Sequence, residues 1–176
     1  LVAFYSTAGA LLGNVTVGAL PDMVSFTPDG RYVLVANEGE PNTTYTSDPE
    51  GTVSIIDLGA GVAAATVRQV RFNDFNVGGP RNGELPAAVR IFGLNASVAQ
   101  DLEPEYITVT ADGRTAFVSL QENNALAVID IASASVSRIL ALGYKNHNNV
   151  GAAFDPSDRD LPGNLPAISI RNFPVL

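Results

Sequence analysis

PDMVSFTPDGRYVLVA, residues 21–36, returns as PEYITVTADGRTAFVS at residues 104–119. GTVSIIDL at residues 51–58 returns as NALAVIDI at 124–131. The first pair lies 83 residues apart and the second 73, so one unit occurs twice and its first copy carries about ten extra residues between the halves. A repeat at such spacing implies a tandem architecture, because each unit is too small to bury its own apolar face and must stack on a neighbour.

Within each copy the strands can be read off in turn. Residues 23–27 and 106–110 alternate in character and end in TPDG or TADG. Asp-Gly takes positive φ without a Cβ penalty, so the next runs, 31–36 and 114–119, are expected to fold back antiparallel. A third run (52–57 or 125–130) and a fourth (66–72 or 135–142) complete four strands joined by short turns, the blade unit of a β-propeller. Two further runs, 1–6 and 12–18, read as the outer half of a preceding blade.

The expected fold is therefore all-β: a partial β-propeller of about two and a half four-stranded antiparallel blades. Residues 1–18 form the half blade, 19–72 and 104–142 the whole ones, 73–103 a long insertion, and 143–176 a loop with a strandless apolar tail. Within the insertion, residues 84–94 are expected to hold a helical turn or a short extra strand. Propellers close with about four to eight blades, so closure by this chain alone is not expected.

The 176 residues are 46% hydrophobic and 16% charged, the balance of a folded chain with a core rather than a disordered one. No apolar run approaches the roughly 18 residues that a membrane-spanning helix needs. The start lacks a basic region before an apolar stretch, so it does not read as a signal peptide. It opens inside a strand, as a segment of a longer protein would. The absence of cysteine excludes disulfides and thiolate chemistry within these residues.

A formal net charge of −8 argues against a nucleic-acid partner, whose phosphates require Lys and Arg. Placement says more than the sum. In the blade reading, Asp22, Glu38, Glu40, Asp48, Glu50, Asp74, Glu84, Asp101, Glu103, Glu105, Glu122, Asp155, Asp158 and Asp160 fall on one loop face. Only Asp29, Asp57, Asp112 and Asp130 fall in the tight turns opposite, where Asp has a turn role. The acidic face concentrates in VANEGEPN (35–42) and DLEPE (101–105). Clustered carboxylates in irregular loops suit a hard cation such as Ca²⁺, which takes six to eight oxygen ligands. The loops of Glu38, Glu40, Glu103 and Glu105 are the expected holders, although the spacing matches no EF-hand and DPSDRD at 155–160 fits no better.

Other chemistry has little support. The chain contains neither a G-x-S-x-G elbow nor a G-x-x-x-x-G-K-[ST] phosphate loop. Its one histidine, His147, lies in the polar stretch KNHNN and reads as a turn residue rather than a general base. Arg159 and Arg171 read as loop ties to acidic neighbours rather than as anion holders. Three sequons, at Asn14, Asn42 and Asn95, are candidate glycosylation sites and fit a secreted protein.

VANEGEPN, SVAQDLEPEYI (97–107), LQENNALAVIDI (120–131) and SDRD (157–160), in that order, resemble the choice-of-anchor I family. The similarity spans nearly the whole chain. It implies a secreted or surface-attached β-propeller protein related to surface-layer-type repeats. Family members are considerably longer, and the chain stops at NFPVL about where another blade is expected. Some members carry an alkaline phosphatase label, which would imply a metal site; Glu38, Glu40, Glu103, Glu105 and Glu122 match the acidic motif positions. The expected function is an extracellular structural or interaction module. It would self-associate as a homo-oligomer or filament through its sheet ends, or join the remaining blades of a longer parent. The alternative is a metal-dependent phosphatase on the acidic face.

Overall fold

A computed structural model describes residues 1–146 and 149–152, together with the backbone of 174–175. His147, Asp155, Asp158, Arg159, Asp160 and Arg171 lie outside the described residues.

Residues 1–142 form one compact unit. It opens with a two-stranded ribbon, β1 (Val2–Tyr5) and β2 (Leu11–Val15). The first four-stranded antiparallel sheet follows in chain order: β3 (Pro21–Phe26), β4 (Tyr32–Asn37), β5 (Thr52–Asp57) and β6 (Thr66–Arg71). The second repeats it with β7 (Pro104–Val109), β8 (Thr115–Leu120), β9 (Ala125–Asp130) and β10 (Ser135–Ala141). The sheets are separate and do not close on one another. Among the described residues α-helix is confined to α1 (Val98–Asp101).

The duplicated turn forms the same way twice. Thr27 Oγ1 donates to Asp29 Oδ1 at 2.6 Å, and the Arg31 amide donates to the same oxygen at 3.0 Å. Thr110, Asp112 and Arg114 repeat these bonds at 2.6 and 3.1 Å. Gly30 and Gly113 take the positive φ that the turn requires.

Period-two alternation sends the strands' side chains to two faces. From β4, Leu34 and Ala36 join Val53 and Ile55 in a core shared with Val118, Leu120, Ala127 and Ile129 of the second sheet. Val33 and Val35 face the other way and pack with Ile56, Val17, Val2, Phe4 and Val15, under the β1–β2 ribbon. The first sheet is thus covered on both faces, which is why Val33 to Asn37 are all buried. The second is not: β8 alternates strictly between buried and half-buried residues, leaving Phe117 partly open.

Two polar links stitch the sheets together. The Ile107 amide donates to Met23 Sδ at 2.9 Å, and the Arg68 guanidinium donates to the carbonyls of Ala132 and Ile131 at 2.7 and 3.0 Å.

The insertion corrects one expectation. Residues 84–94 contain no strand; the helical turn that reaches them is the 3₁₀ turn Asn82–Glu84, which ends on their first residue, while Asn73–Phe75 and Val98–Asp101 lie on either side. Phe72 and Phe75 are fully buried there, so packing rather than a backbone ladder holds the segment. The tail is a second correction. Residues 143–176 form their own compact unit, in which β11 (Lys145–Asn146) pairs antiparallel with β12 (Pro174–Val175). A two-residue strand is too short to leave a periodic signal in the sequence.

Candidate cation-binding site

Two β-bulges set the site. In β3, Pro21 pairs with Asn37 and Met23 with Ala36, which leaves Asp22 as the extra residue. In β7, Pro104 pairs with Leu120 and Ile107 with Val118, which leaves one extra residue at Glu105 and Tyr106. Pro21-Asp22 and Pro104-Glu105 are equivalent in the repeat, so both copies interrupt the ladder beside a carboxylate. Bulges re-aim the side chains they carry.

The remaining acids come from the strand exits. Glu38 and Glu40 follow β4, and Glu122 lies in the turn between β8 and β9, closed by the Asn124 amide donating to the Gln121 carbonyl at 3.0 Å. Glu103 sits between α1 and β7. Its backbone is fixed from both sides. Ser97 and Gln100 form a reciprocal capping box at the start of α1, and Gln100 Nε2 reaches the Asp48 carbonyl at 2.8 Å. Asn123, fully buried, accepts from the Glu103 amide at 3.2 Å and donates to the carbonyls of Asp101 and Arg90 at 2.6 and 2.9 Å. Asp101 is also buried, but it is structural: its carboxylate accepts from the Phe92 amide at 2.8 Å and from the Gly93 amide.

These restraints form a cleft of about 370 Å³ lined by the acids Glu38, Glu40, Asp48, Asp101, Glu103 and Glu122, with Tyr45 and Phe92 also in its lining. Glu103 is only 8% exposed and its carboxylate has no hydrogen bond or ion pair among the described residues. Glu122 Oε2 is shut off from solvent, again with no hydrogen-bond partner.

The electrostatics follow from burial and crowding. Burial, then the charges of Glu122 and Glu38, push the Glu103 carboxyl up to about 7. Burial and the same two neighbours, with the Glu122 carboxyl beside it, raise Glu105 to about 7 as well. Burial first, then Glu40, Asp22 and Glu122, raise Glu38. Asp48, at the cleft edge, is raised by burial and by Asp101. The ion pairs among the described residues, Arg31–Asp57, Arg71–Glu50 and Arg81–Glu84, involve none of the clustered acids Asp22, Glu38, Glu40, Glu103, Glu105 and Glu122.

All five sequence-derived candidates, Glu38, Glu40, Glu103, Glu105 and Glu122, are thus in one neighbourhood. Among the described residues, however, no three His, Cys, Asp or Glu are close enough to hold a metal ion as they stand. Asp22 was missing from that set; the signal that could have found it is its repeat equivalence to Glu105. The sequon residues Asn14, Asn42 and Asn95 are all exposed. Asn14 points outward from β2, Asn42 is tied to Thr46 at 2.9 Å, and Asn95 takes positive φ in the insertion.

No curated protein matches the chain. Among solved structures, a chain of hydrazine synthase from Kuenenia stuttgartiensis is similar at 16% identity and a TM-score of 0.43. The match covers 70% of this chain and 30% of that one, and at that distance it carries no argument. The choice-of-anchor I domain matches residues 1–176, over the whole length that includes both sheets and every acidic residue described above. The chain belongs to the choice-of-anchor I family.

Proposed function

We propose that this chain is a segment of a secreted or cell-surface β-propeller that serves as a structural or interaction module, with Ca²⁺ organising its acidic loop face. The observation that carries this reading is the convergence of Asp22, Glu38, Glu40, Glu103, Glu105 and Glu122 without a cationic side chain paired to any of them among the described residues. Like charges at this density repel, and a divalent ion offsets that repulsion by accepting carboxylates and loop carbonyls together.

The blade reading rests on the repeated four-stranded sheets and on the ribbon packed beside the first of them. Its partners are neighbouring sheets, either the remaining blades of a longer parent or another copy of this chain. The open side of the second sheet and the exposed Leu1, Tyr5, Leu11 and Leu12 of the ribbon support such neighbours. Exposure at Asn14, Asn42 and Asn95 supports their use as glycan acceptors. A catalytic metal centre needs ligands preorganised around an open position, whereas Ca²⁺ sites tolerate loops that gather on binding. The splayed carboxylates favour the second, and with it a module over a phosphatase.

Calorimetric titration with CaCl₂ is expected to show binding by millimolar concentration, with a melting temperature that falls on adding chelator. No binding and no chelator effect would overturn the cation reading. A phosphomonoesterase activity that chelator abolishes would overturn the preference for a module.

A further inference from the structure

The two segments that the repeated strands do not account for meet at one place. The first copy carries residues 38–51 between β4 and β5, where the second has only 121–124, and the insertion 73–103 separates the two sheets in sequence. Both line the cleft: Glu38, Glu40 and Tyr45 come from the first, and Phe92, Gly93 and Glu103 from the second. They are also tied to each other, since the Gly51 amide donates to the Ala99 carbonyl at 3.0 Å and Gln100 Nε2 to the Asp48 carbonyl at 2.8 Å. The cleft is therefore preformed, and loops held on a rigid scaffold are where binding residues concentrate.

Its chemistry suits one positive charge on an apolar stem. Independently of the charge count, Glu103 is 8% exposed, lines the cleft, and has no hydrogen bond or ion pair for its carboxylate among the described residues. Buried polar groups without a partner are rare unless something else completes them. Tyr45 and Phe92, both exposed, add aromatic surface on which methylenes and cations pack. Ligand pockets run from about 300 to about 1,000 Å³, so a cleft of about 370 Å³ fits a single side chain better than a large cofactor. Arg90 shows the same preference at close range: its guanidinium lies 4.1 Å over the Phe92 ring, although it donates to the Glu122 carbonyl at 3.4 Å rather than to a carboxylate.

From this we infer that the cleft takes a lysine or arginine side chain of a partner polypeptide, its charge set on Glu103 and its methylenes against Tyr45 and Phe92. The inference rests on the interaction-module reading above, whose partner it specifies, and does not require Ca²⁺. The loops carrying Glu38 and Glu122 need not gather for such a guest, because an ammonium or guanidinium brings several donors on a flexible stem.

The test titrates blocked pentapeptides, one lysine or one arginine between glycine pairs, into the full 176-residue chain at pH 8 in chelator. NMR follows the Phe92 and Gly93 amides, which are bonded to the Asp101 carboxylate beside the cleft. At least one peptide is expected to give saturable shifts there, with a Kd on the order of millimolar, and the norleucine peptide none. Glu103→Gln, which keeps the side chain's shape, and Glu38→Gln should each bind about tenfold more weakly, as for the loss of a charge-assisted hydrogen bond. Circular dichroism checks that both fold. Asp74→Asn removes the same charge from an exposed acid outside the cleft lining and should change affinity less than about twofold. Absence of shifts with both peptides, or an equal loss in Asp74→Asn, overturns the inference. Binding of n-butylamine as tight as that of the peptides overturns the polypeptide partner in favour of a free amine. The module reading falls separately, to the chelator-sensitive phosphatase activity named above.

Discussion

Glu103→Gln should make the cation-free protein more stable, and only above mildly acidic pH. Folding raises this carboxyl from 4.5 to about 7, so the folded state binds its proton more tightly than the unfolded chain does. The sign follows from linkage: the penalty for ionising Glu103 is absent below about pH 4.5, grows as pH rises towards 7, and is fully present above that. One unit corresponds to about 1.36 kcal/mol, so the full shift is worth on the order of 3 kcal/mol. Water at the open mouth of the cleft screens part of this, and Glu105 titrates with it through their shared neighbour Glu122, so about 2 kcal/mol is the expected gain. Urea unfolding in chelator at pH 4 and pH 8 reads it directly. The two proteins should be alike at pH 4, and the variant should exceed the parent at pH 8. With Ca²⁺ at pH 8 the order should reverse, because the parent alone keeps all its carboxylates. A variant no more stable at pH 8 in chelator would refute the claim that Glu103 is held against its own ionisation.

Two other substitutions probe the framework. Gly51 sits against the insertion, where an added Cβ would overlap the Leu102 carbonyl and crowd Pro104, so Gly51→Ala should cost about 3 kcal/mol in urea unfolding. Asn123→Ala removes a fully buried side chain that bonds the Glu103 amide and the carbonyls of Asp101 and Arg90; it should cost about 3 kcal/mol by calorimetry. The same variant should lose hydrogen-exchange protection at the Glu103 amide first.

The strands were legible because they say the same thing twice. All ten strands of the first unit fall within a few residues of their expected places, and the differences have identifiable causes. β3 and β7 begin two residues earlier than the alternation indicates, because Pro21 and Pro104 read as loop and the bulges beside them break the period. Of the site, the five glutamates were readable as a charge concentration; Asp22 was readable as one acid of the same loop face but not as their neighbour, since its placement depends on the bulge. The insertion was the least legible part. Its structure rests on the buried Phe72 and Phe75 together with bonds from side chains to backbone, among them Asn76 Oδ1 accepting from the Ala99 amide at 2.8 Å, and neither leaves a periodicity. Ser97-x-x-Gln100 was its one local signature, a capping box that starts α1.

The contact between Ile107 and Met23 has a spectroscopic consequence. The chain contains a single methionine and no cysteine, so its only sulfur lies where the two inner strands meet. A protein grown with ¹³C-methyl methionine therefore gives one methyl resonance, with no assignment problem, from that junction. Its chemical shift and linewidth report how the two sheets are joined while every other part of the molecule stays silent.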